Sequence, residues 1–233
     1  LLSESETDDI LTVEENDKFF TIHAGQKTTY VFNRLTGLFE GLNVNGKEIL
    51  DRPMELNIWR APTDNDRKIK LEWMNAHYDQ SYARAYETFC NIENGQVHIT
   101  GTMSVSAPTV QRNVKAEWII TPDGAIRVKM NVKRDMEFPM LPRFGIRLFL
   151  DKEFDNAEYY GIGPDESYVD KKRSGYHGKH CAEIHEMHED YLRPQENGSH
   201  TDCDYLILKG MDLTFAAAGE KTFSFNVSPY TQE

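Results

Sequence analysis

Two glutamates sit in similar company. Glu166 lies in Tyr159–Gly175, YYGIGPDESYVDKKRSG, and Glu196 in Tyr191–Asp202, YLRPQENGSHTD. Each has proline and glycine close by, with aromatic and basic neighbours. Acid–base work on a glycosidic bond needs two carboxyl groups about 5–9 Å apart, and loops of this kind can bring Glu166 and Glu196 together. They also suit sugar contacts, because rings stack on the apolar face of a sugar while carboxylates and amides such as Asn197 take its hydroxyls. The competing reading is structural: rigid turns whose Glu and Asn side chains satisfy loop backbone. A third stretch, LNIWRAPTDND, sets Trp59, Arg60, Asp64, Asn65 and Asp66 on a turn that is neither helix nor strand interior.

Other chemistries find less support. His177, His180, Cys181, His185 and His188 crowd one segment, yet an H-E-x-x-H zinc site needs a second histidine four residues on, and the residue four after His185 is Glu189. The chain has no C-x-x-C, no phosphate-binding glycine loop and no G-x-S-x-G elbow. The histidines therefore read as surface residues of a loop, and no metal site is expected.

Composition narrows the partners. A net charge of −12 and a pI of about 5.1 argue against nucleic acid and anionic membranes. Neutral sugars and protein partners stay open. No window approaches the ~18 apolar residues of a spanning helix. The N-terminus LLSESETDD is acidic and unlike a signal peptide, and a chain that starts without Met is expected to be a fragment or a processed product. Cys90, Cys181 and Cys203 form no recognisable framework and read as buried or free thiols in a reducing compartment. The sequons at Asn197 and Asn226 carry little weight without a secretory signal.

The elements that must position these residues are mostly strands. After a polar lead-in over residues 1–8, short apolar or alternating runs recur (ILTVE, KFFTIHA, TTYVFN, GLFEGLNV), separated by turn signals. Asn45-Gly46, Asn94-Gly95 and Thr-Pro-Asp-Gly at 121–124 predict hairpins. Residues 67–80 predict the one helix, with Ile69, Trp73 and Ala76 on a common face widened by Leu71 and Met74. Residues 161–200 predict a long loop-rich segment. At least twelve strand candidates and a single helix predict an all-β fold, a large antiparallel β-sandwich in one domain.

Taken together, IWRAPTDND, YYGIGPDESY, RPQENG and the closing FSFNVSPYTQE resemble the C-terminal sandwich domain of family-two glycoside hydrolase β-galactosidases, which in some members is a separate small subunit. The resemblance runs in the same order from about Ile10 onward. It implies a galactose mutarotase-like supersandwich, and a parent enzyme that hydrolyses β-galactosides such as lactose with retention, through a covalent galactosyl intermediate. It places the catalytic glutamates, and the magnesium and sodium sites, on a separate TIM barrel. This chain is then an accessory domain with no catalytic residue or cofactor of its own. Its partners are that barrel or large subunit, the β-galactoside, and further copies in a homo-oligomer, and its location is cytoplasmic.

Two departures from the family pattern stand out. The loop after RAPTDND is short, so a lid role is not carried over. The chain also stops at Glu233, where the family domain continues; the resemblance thus implies a sandwich lacking its last strands, prone to self-association, and without a substrate-stacking tryptophan. Against this background Trp59 is expected to bury its ring in the sandwich and Pro62 to end the strand. Arg60 is expected to pair with Asp64, Asp66 or Glu196, as a clamp on the edge facing the barrel or in contact with sugar. Two other functions remain open: a stand-alone carbohydrate-binding module, and an aldose 1-epimerase-like enzyme using His185 or His188 with Glu196.

Overall fold

The computed structural model describes residues 10–107, 109–133, 135–193 and 195–231. The expected lead-in over residues 1–8, Pro194 of RPQENG and the final Gln232 and Glu233 lie outside them. Among the described residues there are fifteen strands, and every pairing between them is antiparallel, in keeping with the all-β sandwich expected. The chain divides into two compact units. One is the chain up to Trp59 plus Ile69–Asp151; the other is Arg60–Lys68 plus the chain from Lys152.

The first unit opens with a meander of β1 (Leu11–Glu15), β2 (Phe19–Ala24), β3 (Thr28–Asn33), β4 (Leu38–Val44) and β5 (Lys47–Glu48). Asn45 and Gly46 take the left-handed φ values of 56° and 79° that a two-residue hairpin demands. β6 (Leu50–Asn57) leaves this sheet and pairs with β11 (Gly145–Leu150). β7 (Tyr82–Glu93), β8 (Gln96–Ala107), β9 (Thr109–Ile120) and β10 (Ile126–Lys133) form a four-stranded sheet in the order β10-β9-β8-β7. Period-two alternation gives each sheet one apolar face. Phe20, Tyr30, Phe32 and Phe39 of the meander and Val97, Ile99, Val114 and Trp118 of the second sheet are all buried. The two faces meet at Trp118, whose ring lies edge-on to Phe32 at 6.2 Å and to Phe39 at 5.2 Å. Such pairs add about 0.5–1.5 kcal/mol each beyond the area they bury.

The expected helix over 67–80 is shorter: α1 spans Ile69–Asn75, flanked by 3-10 turns at Asp64–Asp66 and Tyr78–Gln80. His77, at φ 55°, stops it. Trp73 is buried and donates Nε1–H to the Met140 carbonyl at 2.8 Å, and Tyr78 donates its hydroxyl to that of Pro139 at 2.8 Å. Leu71 and Met74 do not widen the apolar face; they are 60% and 53% exposed. A helix this short presents one narrow stripe, and positions 100–200° round from Trp73 fall outside it.

In the second unit β12 (Asn156–Gly163) is central, between β13 (Tyr176–Glu183) and β14 (Ser199–Lys209), with β15 (Thr214–Asn226) outermost. The expected loop over 161–200 is thus corrected: β13 and a 3-10 turn at Ile184–Met187 run through it, and His177, His180 and Cys181 lie on a strand. The inward positions of β13 are Gly178, His180 and Ala182. A strand that turns those residues to its core shows no hydrophobic alternation.

Candidate functional site

Three of the quoted stretches, from Arg60, Pro164 and Tyr191 onward, belong to the second unit. Each is fixed by its own polar contacts and then tied to another.

The approach to the first stretch lies in the first unit. β6 stops at Asn57, whose Oδ1 accepts the Trp59 N–H at 3.0 Å. The strand therefore ends before Pro62, and the turn made by the Asn57 side chain, not the proline, ends it. Trp59 does not bury its ring either; it is half-buried and edge-on to Trp73 at 6.4 Å. Arg60 opens the turn itself. Its Nη2 donates to both oxygens of Asp66, at 2.8 and 2.9 Å. Asp66 Oδ2 also accepts the Thr63 N–H at 2.9 Å and the Thr63 hydroxyl at 3.0 Å, closing the 3-10 turn in a capping box. Asp66 is buried, and Asp64 and Asn65 are exposed. The Asp64 N–H donates to Gln195 Oε1 at 3.3 Å, and Asn65 Nδ2 to Asp170 Oδ2 at 3.5 Å.

Glu166 is the hub of the second stretch. It is 6% exposed. Its carboxylate accepts Lys171 Nζ at 2.7 Å, the Gly198 N–H at 2.9 Å, the Tyr168 hydroxyl at 3.4 Å and the Tyr191 hydroxyl. Burial alone would raise its pKa, but the bonds from Lys171, Tyr191 and Gly198 outweigh that and hold the carboxyl below the ordinary range. Tyr168 and Lys171 exchange backbone bonds of 3.0 Å, which turns the Lys171 ammonium back towards Glu166. Gly198 meets the hub at φ 68°, where a side chain would collide with the Met187 carbonyl oxygen at 2.5 Å.

Glu196 is equally buried, at 4% exposure. Its Oε1 accepts Asn226 Nδ2 at 3.3 Å, and its N–H donates to the Ala61 carbonyl at 3.3 Å, joining the third stretch to the first. Asn197 Oδ1 accepts the Glu189 N–H at 3.1 Å, its Nδ2 donates to the Gln195 carbonyl at 3.2 Å, and its carbonyl takes the Asn226 amide. Burial, and then the charges of Glu166 and Glu196, push the Tyr168 hydroxyl up. Tyr168 is thus where the fields of the two glutamates overlap.

The histidines do not gather. His177 packs edge-on to Tyr160 at 4.9 Å, His180 turns inward to Tyr159 at 5.2 Å, His185 pairs with Glu183 at 3.4 Å, and His188 lies 3.7 Å from Asp190 and beside Tyr230. Among the described residues no three His, Cys, Asp or Glu side chains are placed to hold a metal ion. Tyr168, Lys171, Tyr191 and Asn226 belong to the site; the sequence offered the first three only as aromatic and basic neighbours of the two glutamates, and Asn226 only as a sequon.

The sequence profile of the family described as Beta galactosidase small chain matches residues 24–233, including every residue of these loops. The chain belongs to the β-galactosidase small chain family. A β-galactosidase of Actinobacillus pleuropneumoniae is 40% identical over 95% of this chain, and that of Staphylococcus xylosus 31% over 95%. That of Lactobacillus delbrueckii subsp. bulgaricus is 31% identical over 89%. These matches cover only 22%, 22% and 21% of the relatives' own lengths, so the small chain spans about a fifth of the β-galactosidases it is similar to.

Proposed function

We propose that this chain is the accessory, non-catalytic part of a retaining β-galactosidase that hydrolyses terminal β-D-galactosides such as lactose. The observation that carries this reading is the state of Glu166. A retaining glycosidase needs an acid whose pKa is raised and a second carboxylate about 5–5.5 Å away that is free to attack. Glu166 is pushed in the opposite direction, and its oxygens already receive Lys171, Tyr168, Tyr191 and Gly198. Glu196 is buried and bonded to Asn226. Carboxylates held in this way fix loop shape.

In this reading the catalytic glutamates lie on the TIM barrel or large subunit that makes up the rest of the enzyme. The magnesium and sodium expected of such an enzyme would be held there too. The loops carrying Arg60–Asp66, Glu166 and Glu196–Asn197 would form a stiff wall beside the sugar site, with Asp64 and Asn65 at its exposed rim. Assembly would be as a homo-oligomer in the cytoplasm. No helix of the described residues is long and apolar enough to cross a membrane.

The test is a chimera. Replacing the matching segment of the Actinobacillus pleuropneumoniae enzyme by this chain should give an active β-galactosidase. A folded chimera without activity would contradict the assignment.

A further inference from the structure

The sheet of β7–β10 turns one face to the core and the other to water, as an antiparallel sheet can. On β8 the inward positions Val97, Ile99, Met103 and Val105 are buried. The outward face is uneven. Tyr86, at the bulge of β7, reaches across to Ser104, hydroxyl to Oγ 3.2 Å, and Ser104 is fully buried. Farther back along the same side of β8, Thr102 and Thr100 are exposed. A groove of about 440 Å³ opens over them, within the ~300–1,000 Å³ usual for small-molecule sites.

Strand register sets the lining. Phe89, Thr100, Glu117 and Lys129 stand opposite one another in one row across the four strands. Thr102, Lys115 and Asn131 make the next row. Three strand spacings give the first row a length of about 14 Å. The floor is backbone, because Gly101 has no side chain and that of Ala116, opposite it on β9, is buried on the inward face. Phe89 is 64% exposed, and its ring packs on no other ring among the described residues. None of the polar side chains of the two rows makes a hydrogen bond or ion pair among the described residues. The groove therefore holds one bare ring, one carboxylate acceptor and several donors, none of them spent within the sheet.

We propose that this groove binds a neutral pyranoside, with Phe89 as its stacking platform. The C–H face of the sugar lies on the negative face of the ring. Its hydroxyls donate to Glu117 and accept from Lys115, Lys129 and Asn131, so one ligand answers both kinds of group. Other ligands answer only some of them. A phosphate accepts but does not donate, and it would meet the charge of Glu117. A cation would meet two lysines. An extended peptide wants pockets for alternate side chains, and the groove offers a single ring. The site lies on β7–β10 and uses no residue of the Glu166 and Glu196 loops, and it does not depend on the reading of the chain as part of a β-galactosidase.

Titration of lactose into the whole chain, followed by its backbone amide resonances, tests the proposal. The expected result is a saturable shift of the Gly101, Thr102 and Ala116 amides, with an affinity at least tenfold weaker in Phe89→Ala. Should Phe89→Ala fail to fold, Glu117→Ala takes its place with the same expected loss. No saturable shift at these amides would overturn the proposal, as would equal affinity in wild type and variant. Saturation by inorganic phosphate in place of lactose would overturn it too, by making the groove an anion site. Shifts confined to Glu166, Glu196 and Asn197 would overturn it by placing the sugar in those loops instead.

Discussion

The Gly198 N–H donates to the Glu166 carboxylate at 2.9 Å across 32 residues of sequence. That bond ties the turn after β12 to the turn before β14. It needs a residue at position 198 that accepts φ 68° and leaves room for the Met187 carbonyl.

Gly198→Ala should destabilise the chain by about 1–3 kcal/mol, the range for a non-glycine residue forced into a sparsely populated backbone region. Urea unfolding measures it. A loss within error would mean that the turn relaxes without cost and that Gly198 is not a required part of the hub.

Glu166→Gln leaves the shape of the hub but removes its charge, and with it the pairing with Lys171. The expected loss is about 2–3 kcal/mol near neutral pH, the range for hydrogen bonds to a charged, buried group. Because the folded pKa of Glu166 is depressed, its stabilisation is complete above the ordinary carboxylate range and is lost as the pH falls through the folded value. The difference between wild type and Glu166→Gln should therefore shrink in acid. A difference that is constant with pH would show that the charge contributes nothing.

Arg60→Ala should cost about 2 kcal/mol, because it takes the guanidinium from a buried Asp66 that keeps only its Thr63 donors. A single nitrogen, Nη2, makes both contacts, so Arg60→Lys should recover part of the loss. If lysine recovers nothing, the planar head of arginine is needed for more than this pair.

Much of the fold was legible in the sequence where alternation and turn chemistry were both strong. Phe20, Ile22 and Ala24 alternate with Thr21 and His23, and Asn45-Gly46 and Asn94-Gly95 punctuate the strands they join. β13 was hidden because His180 and two small residues replace its apolar positions. The helix was overread because Leu71 and Met74 are apolar by type yet face solvent. Within the site, Arg60 and Asp66 are close in sequence and their pairing was one of three anticipated. The donors of Glu166 were not anticipated, since Tyr191 and Gly198 reach it from 25 and 32 residues away. Contacts of that span are set by the register of β12 against β14, and no local pattern encodes it.

The central claim is that this chain shapes a β-galactosidase without performing its chemistry. Hydrolysis of a nitrophenyl β-galactoside by the purified chain alone tests it most directly. The account predicts no rate above background for wild type, Glu166→Gln and Glu196→Gln alike. A rate proportional to the amount of chain, and abolished by either substitution, would contradict it and place the active site among these loops.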